Sequence, residues 1–158
     1  MKPDLRQFRM RRADLLAFLH LTDRADLLVD RLASREPGTD FHVTLVENGI
    51  ATEKSFRVMF HGIAGSVAHP AELKDRLMGE MKMDATRPGV PVCVFVFTMG
   101  DDRRYCGWVN EPAVNGSAGL RSWKPAEIRW RALDADAIAG IVAAVSAWYE
   151  AQRRAQAA

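Results

Sequence analysis

The stretch VPVCVFVFTM, residues 90–99, decides the fold class of this chain. Every position from Val92 to Phe97 is apolar, so both sides of an extended strand would be apolar. A strand of this kind is typical of the centre of a sheet that is covered on both faces. The turn-forming residues GDD follow at 100–102, and we expect RRYCGWVNEP, residues 103–112, to form the neighbouring strand.

A hairpin is predicted upstream, in DFHVTLVENGIATEKSFRVMFHG, residues 40–62. Two runs of alternating apolar and polar residues flank Asn48-Gly49, which is the strongest short signal for a two-residue hairpin turn. Phe56, Val58 and Phe60 form one face of the second run, and the other face is mixed. We therefore expect two half-buried strands.

Helical spacing of apolar residues predicts three helical regions. Residues 11–33 form one bent helix or two short ones, and residues 70–84 form an amphipathic helix that begins at Pro70. Asp134 caps a final helix. Between the last two helices, residues 126–133 alternate as a short strand.

These elements predict one α/β (α+β) domain over the 158 residues, built on a single mixed sheet of about five strands flanked by helices. Residues 1–10 would form a basic N-terminal extension, and residues 151–158 a frayed C-terminal tail. Apolar residues make up 48% and charged residues 27%, which is ordinary for a globular protein. No apolar run reaches the roughly 20 residues of a membrane span.

The N-terminal residues lack the apolar core of a secretory signal, so we expect a cytoplasmic protein. The net charge is only +2, but basic residues crowd the first twelve positions. These basic residues are Lys2, Arg6, Arg9, Arg11 and Arg12. Arg9, Arg11 and Arg12 are candidates for contact with phosphate or an acidic partner, and the alternative is a solvated helix face.

Known chemical motifs are largely missing from the sequence. It has no Gly-rich phosphate loop, nucleophile elbow or HExxH pattern. Cys93 and Cys106 are expected to be small core residues that lie out of register on neighbouring strands. His42 and His61 could share a metal only if they face each other, and a strand histidine is more often a surface or core residue.

A second candidate surface lies in YCGWVNEPAVNGSAGLRSWKPAEIRW, residues 105–130. Trp123 stands there between Arg121 and Lys124, a mixture that suits base stacking or a protein hot spot. The alternative is that Trp108 and Trp130 are core strand residues and that only Trp123 is exposed.

Three fragments carry a family resemblance: GTDFHVTL, SFRVMFHG and PVCVFVFTMGDDRRYCGWV. Together with the order of elements over residues 11–132, they resemble a bacterial family of unknown function in the PD-(D/E)XK restriction-endonuclease-like superfamily. Members carry an aspartate at the start of the first hairpin strand. The second strand carries a glutamine or glutamate, one spacer and a lysine, just before a glycine.

The resemblance implies that Asp40 occupies the metal-binding position. Met59 falls where the second polar ligand belongs, and His61 where the lysine belongs. A thioether does not replace a carboxylate toward Mg²⁺, and a histidine is only fractionally charged near neutral pH. Two of the three motif positions therefore depart from the family pattern.

Three functional hypotheses remain open. The first is a non-catalytic, nuclease-fold-like module that binds a protein or nucleic acid and needs no cofactor. The second is a metal-dependent nuclease whose altered site uses Asp40, His61 and Mg²⁺. The third is a structural protein that works as a homo-oligomer. None of the three involves a membrane.

Overall fold

The computed structural model describes residues 4–32, 40–78, 89–115 and 118–158. The helices are α1 (Leu5–Thr22), α2 (Leu73–Met78) and α3 (Ala135–Ala157), with 3₁₀ turns at Pro70–Glu72 and Pro125–Glu127. The strands are β1 (Leu27–Arg31), β2 (Asp40–Glu47), β3 (Ile50–Ile63), β4 (Val92–Thr98), β5 (Arg104–Pro112), β6 (Leu120–Ser122) and β7 (Arg131–Ala132).

The sheet is built around β4, as its apolar sequence predicts. All seven residues of β4 are buried. The strand runs parallel to β3 and antiparallel to β5. The strand order is β1-β2-β3-β4-β5, and both β6 and β7 pair with β5. The predicted mixed α/β architecture is confirmed, with seven strands in place of about five.

Helices cover both faces of this sheet. On one face α1 and α3 pack over the aromatic residues Phe41, Phe56 and Phe95. On the other, which we call the α2 face, α2 and residues 123–130 pack over the valines of β4. The parallel β3–β4 pair requires a crossover connection, and α2 lies within that connection.

The hairpin prediction is confirmed. Asn48 and Gly49 both adopt positive φ angles, 53° and 75°. Two consecutive left-handed residues are typical of a type I′ turn, whose twist matches the flanking antiparallel strands. Beyond the turn, Phe41 pairs with Val58 and Val43 with Phe56, so the buried faces of β2 and β3 coincide.

The helical prediction for residues 11–33 is wrong at its C-terminal part. Helix α1 ends at Thr22, and Leu27 and Leu28 lie in strand β1 instead. Leu27 pairs with Leu45 of β2 and is buried, whereas Leu28 is exposed. Pairing with β2 gives these leucines a strand environment, and this tertiary contact overrides their helical spacing.

The first and last helices extend into segments that the sequence analysis set apart. Asp4 caps α1, so residues 5–10 are its first turns. At the other end α3 continues through residues 151–157. Of the predicted strand at residues 126–133, only Arg131–Ala132 form a strand, β7, and the 3₁₀ turn at Pro125–Glu127 precedes it. The predicted end of the second helix, from residue 79 onward, lies outside the described residues.

Cys93 and Cys106 are buried and unpaired, as predicted. Cys106 stands opposite Phe95, so the two cysteines are offset by two residues across the ladder. Burial raises the pKa of both thiols, to about 11 for Cys106. Both therefore stay protonated and serve as small core residues.

A pair of glycine substitutions tests the packing of α1 on the sheet. A Cβ added at Gly62 would lie 2.6 Å from the Arg9 carbonyl oxygen. We expect Gly62→Ala to lower the free energy of unfolding by about 1–3 kcal/mol, because the helix backbone must move away. In α3, a Cβ at Gly140 has its nearest neighbour at 3.7 Å. Gly140→Ala is therefore the control, and we expect it to stabilise by up to about 1 kcal/mol.

Urea unfolding, monitored by circular dichroism, measures both changes. An equal effect of the two substitutions would contradict the close approach of α1 to β3.

Candidate functional site

The candidate nuclease positions lie on the interior strands β2 and β3, where β2 begins. Asp40 pairs with Met59 across the β2–β3 ladder, and only its backbone pairing is described. On β3, His61 follows Met59 by two residues and therefore lies on the same face of the sheet. The backbone register thus brings positions 40, 59 and 61 together.

Met59 and His61 do not offer the chemistry of a hard-metal site. Met59 packs against the apolar cluster of the α2 face. His61 is buried, with 5% of its surface exposed. Within the described ranges, no three His, Cys, Asp or Glu side chains are arranged to hold a metal ion. Mg²⁺ requires oxygen ligands, and neither side chain supplies one.

His42 and His61 do not form a metal pair. His42 stands opposite Arg57 on β3. Arg57 lies four residues from His61, which is about 13 Å along a strand. Two histidines this far apart cannot share a metal ion, since zinc–nitrogen bonds are about 2 Å long.

The second candidate region forms a compact cationic surface around Trp123. The guanidinium of Arg121 lies 3.9 Å from the centroid of the Trp123 ring, and that of Arg129 lies 5.3 Å from it. Lys124 is exposed beside them. We call this group, Arg121, Trp123, Lys124 and Arg129, the Trp123 surface.

The edge of the sheet holds Trp123 in place. Strand β6 pairs with the end of β5, and the Trp123 backbone N–H donates to the Val109 carbonyl at 2.8 Å. The indole Nε1–H donates to the Glu111 carboxylate at 2.7 Å. Trp123 is half-buried against the α2-face cluster. The arginines therefore stack on a ring whose position is fixed.

The Trp123 surface is only partly visible in the sequence. Trp123, Arg121 and Lys124 are neighbours in the chain and were candidates from composition. Arg129 was missed because the 3₁₀ turn at Pro125–Glu127 brings it back toward the ring. Trp108 and Trp130, by contrast, are half-buried against the two core clusters.

The three candidate arginines of α1 are in unequal positions. Arg12 forms an ion pair with Asp102 at 2.5 Å. Arg9 is half-buried, and among the described residues its Nε atom has no hydrogen-bond acceptor. Arg11 is exposed. The structure therefore does not gather these three side chains into a single charged patch.

A buried lysine that the sequence analysis missed joins the hairpin to α3. Lys54 is 4% exposed. Its ammonium donates to Glu47 at 2.6 Å and to Ser146 at 3.0 Å, and it pairs with Glu150 at 2.9 Å. Hydrogen bonds to the two carboxylates raise the pKa of Lys54. A lysine held in this way is a structural cation with no unshared electron pair for catalysis.

Comparisons with known proteins identify no relative. No protein-family model, curated protein or solved structure matches this chain. Among the described residues, no helix is both long and apolar enough to cross a membrane.

The side chains at positions 59 and 61 predict that the protein does not cut DNA. We expect supercoiled plasmid to remain intact in Mg²⁺ or Mn²⁺, because Met59 and His61 provide neither a second oxygen ligand nor a permanent cation. Asp40→Ala should behave like the wild type in the same assay. Metal-dependent cutting that Asp40→Ala abolishes would establish the nuclease alternative instead.

The Lys54 ion pairs predict an acid-sensitive contribution to stability. The hydrogen bond from Lys54 holds the pKa of Glu150 below its ordinary value of 4.5. This contribution is fully present above the unfolded-state pKa and is lost as the pH falls through the lower folded-state pKa. The wild type should therefore lose this part of its stability as the pH falls below about 4.5.

Lys54→Met keeps the aliphatic stem and removes the charge, so its stability should fall less steeply over the same pH range. Urea unfolding at several pH values measures the difference. Lys74→Met, at an exposed lysine of α2, is the matched control and should retain the wild-type slope. Parallel curves for wild type and Lys54→Met would contradict the role of the ion pair.

Proposed function

We propose that this protein is a non-catalytic binding domain with a PD-(D/E)XK-like fold, and that its partner is a nucleic acid. The observation that carries the proposal is the stacking of two arginines on Trp123, with Lys124 exposed beside them. No turnover is involved, and no cofactor is needed.

The order of elements supports the PD-(D/E)XK-like part of the proposal. The β2–β3 hairpin is followed by α2, by the apolar strand β4 and by a turn into β5, which carries Trp108. This is the order that the resemblance implies. The departures from the motif at Met59 and His61 support the absence of catalysis, since the second metal ligand and the charge-stabilising lysine are both replaced.

The chemistry of the Trp123 surface favours a polyanion. Arg121 and Arg129 place two positive charges against one aromatic ring, and Lys124 adds a third, exposed charge at the next position in the chain. Arginine that is stacked on an aromatic face keeps its N–H groups available at the ring edge for phosphate oxygens. Aromatic and guanidinium planes also suit the stacking of nucleobases, particularly those of single strands.

Two carboxylates near this surface keep their negative charge, but each accepts a hydrogen bond from the surface itself. Glu111 accepts the indole N–H of Trp123, and Glu127 accepts the backbone N–H of Lys124 at 3.0 Å. These bonds position the ring and the loop. The α1 arginines are weaker candidates for contact with a nucleic acid, because Arg12 is already paired with Asp102.

Fluorescence anisotropy with labelled single-stranded and duplex oligonucleotides tests the proposal. Three phosphate contacts predict a salt slope of about −2 for a single strand, so affinity should fall roughly 20-fold between about 50 and about 200 mM salt. The triple variant Arg121→Gln, Lys124→Gln, Arg129→Gln should lose most of the binding and most of the salt dependence.

A charge-matched control separates this surface from the net charge of the protein. Lys74, Arg153 and Arg154 are exposed on α2 and α3, and changing all three to glutamine also removes three positive charges. This control should bind like the wild type. Equal loss of binding in both triple variants would show that net charge, and not the Trp123 surface, determines the affinity. Binding that is absent or insensitive to salt would overturn the nucleic-acid proposal.

A further inference from the structure

Helix α1 exposes a row of large apolar side chains to solvent. Leu5, Phe8, Leu15 and Leu19 are 63%, 60%, 59% and 61% exposed. We call these four residues the α1 stripe. The opposite side of the helix, with Ala13, Ala17 and Leu21, is completely buried against the sheet. The helix is therefore apolar on both sides, although the sheet needs only one of them.

The spacing of the stripe is that of a helix–helix seam. Positions 5, 8, 12, 15 and 19 alternate steps of three and four residues, which is the a/d pattern of a coiled coil. Arg12 occupies the central position, and its guanidinium is directed to Asp102 and to the Met99 sulfur. A single polar residue at such a position is a known determinant of register between helices.

The size of the stripe is that of an interaction site. Four such side chains expose roughly 400–500 Å² of apolar surface, the range of the largest patch on a typical monomer. Twice this area is about 900 Å², below the ~1,200–2,000 Å² of stable complexes, so two stripes alone would support weak association.

We infer that the α1 stripe packs antiparallel against the α1 stripe of a second copy of this chain. Four arginines, Arg6, Arg9, Arg11 and Arg12, lie in the first half of α1 without an acidic residue among them. The second half of α1 carries no lysine or arginine; its Asp14 is ion-paired with Arg31, and Asp23 directly follows the helix. Parallel pairing would place eight arginines side by side, whereas antiparallel pairing places each basic end beside the partner's arginine-free end.

The antiparallel arrangement is also self-complementary in shape. In antiparallel helices an a position packs against a d position. Phe8 then lies against Leu19 of the partner subunit. The two-fold axis repeats this contact, with Leu19 against Phe8 of the partner subunit. A C₂ interface requires this reciprocity. The interface does not include the Trp123 surface, so the inference is independent of the proposed function.

Sedimentation velocity over about 5 to about 300 µM protein tests the association, since a weak interface shows itself only at high concentration. The wild type should shift from the 17.6 kDa of one chain toward twice that mass. Leu15→Glu with Leu19→Glu should remain at the mass of one chain. Ile50→Glu with Val114→Glu, at exposed apolar positions elsewhere, is the matched control and should shift like the wild type.

Disulfide trapping tests the antiparallel direction. Phe8→Cys and Leu19→Cys chains should crosslink when they are mixed, and neither should crosslink alone. In this arrangement the two copies of position 8 are about 16 Å apart along the helix axis. Crosslinking of Phe8→Cys alone would overturn the antiparallel arrangement, and a wild type that stays at 17.6 kDa at every concentration would overturn self-association.

Discussion

The structure depends on one constraint, which is that β4 must be kept from water on both of its faces. All seven of its residues are buried, and its apolar side chains point alternately to the two sides. A buried valine or phenylalanine contributes about 1.5–3 kcal/mol relative to an exposed one, so neither face can be left open. Helix α2 and residues 123–130 cover one side, and α1 with α3 covers the other.

This double cover decides where binding chemistry can occur. The side chains of Met59 and His61 lie on a covered face and have become part of the packing there. The cation of Lys54, which is buried between the hairpin and α3, is held by two carboxylates. One group of exposed cations lies beyond the outer edge of β5, where β6 and the 3₁₀ turn bring two arginines onto a fixed indole. The nucleic-acid binding that we propose would therefore take place at the edge of the sheet.

Local patterns were enough to predict much of the fold. The apolar run of β4, the Asn48-Gly49 turn and the Asp134-capped helix each depend on neighbouring residues. Strand β1 was not predictable in this way, because its leucines fit a helix until β2 pairs with them. The same limit applies to the site. Arg129 reaches Trp123, and Lys54 reaches Glu150, only through tertiary structure that a single sequence does not display.

The bond between Lys54 and Ser146 spans 92 residues and has a consequence for the order of assembly. The hairpin can form early, because its turn is local and its strands are adjacent in the chain. The ammonium group of Lys54, however, stays hydrated until α3 is synthesised and docks. The tip of the hairpin should thus be among the last regions to gain protection from hydrogen exchange, although the hairpin itself is among the easiest elements to form.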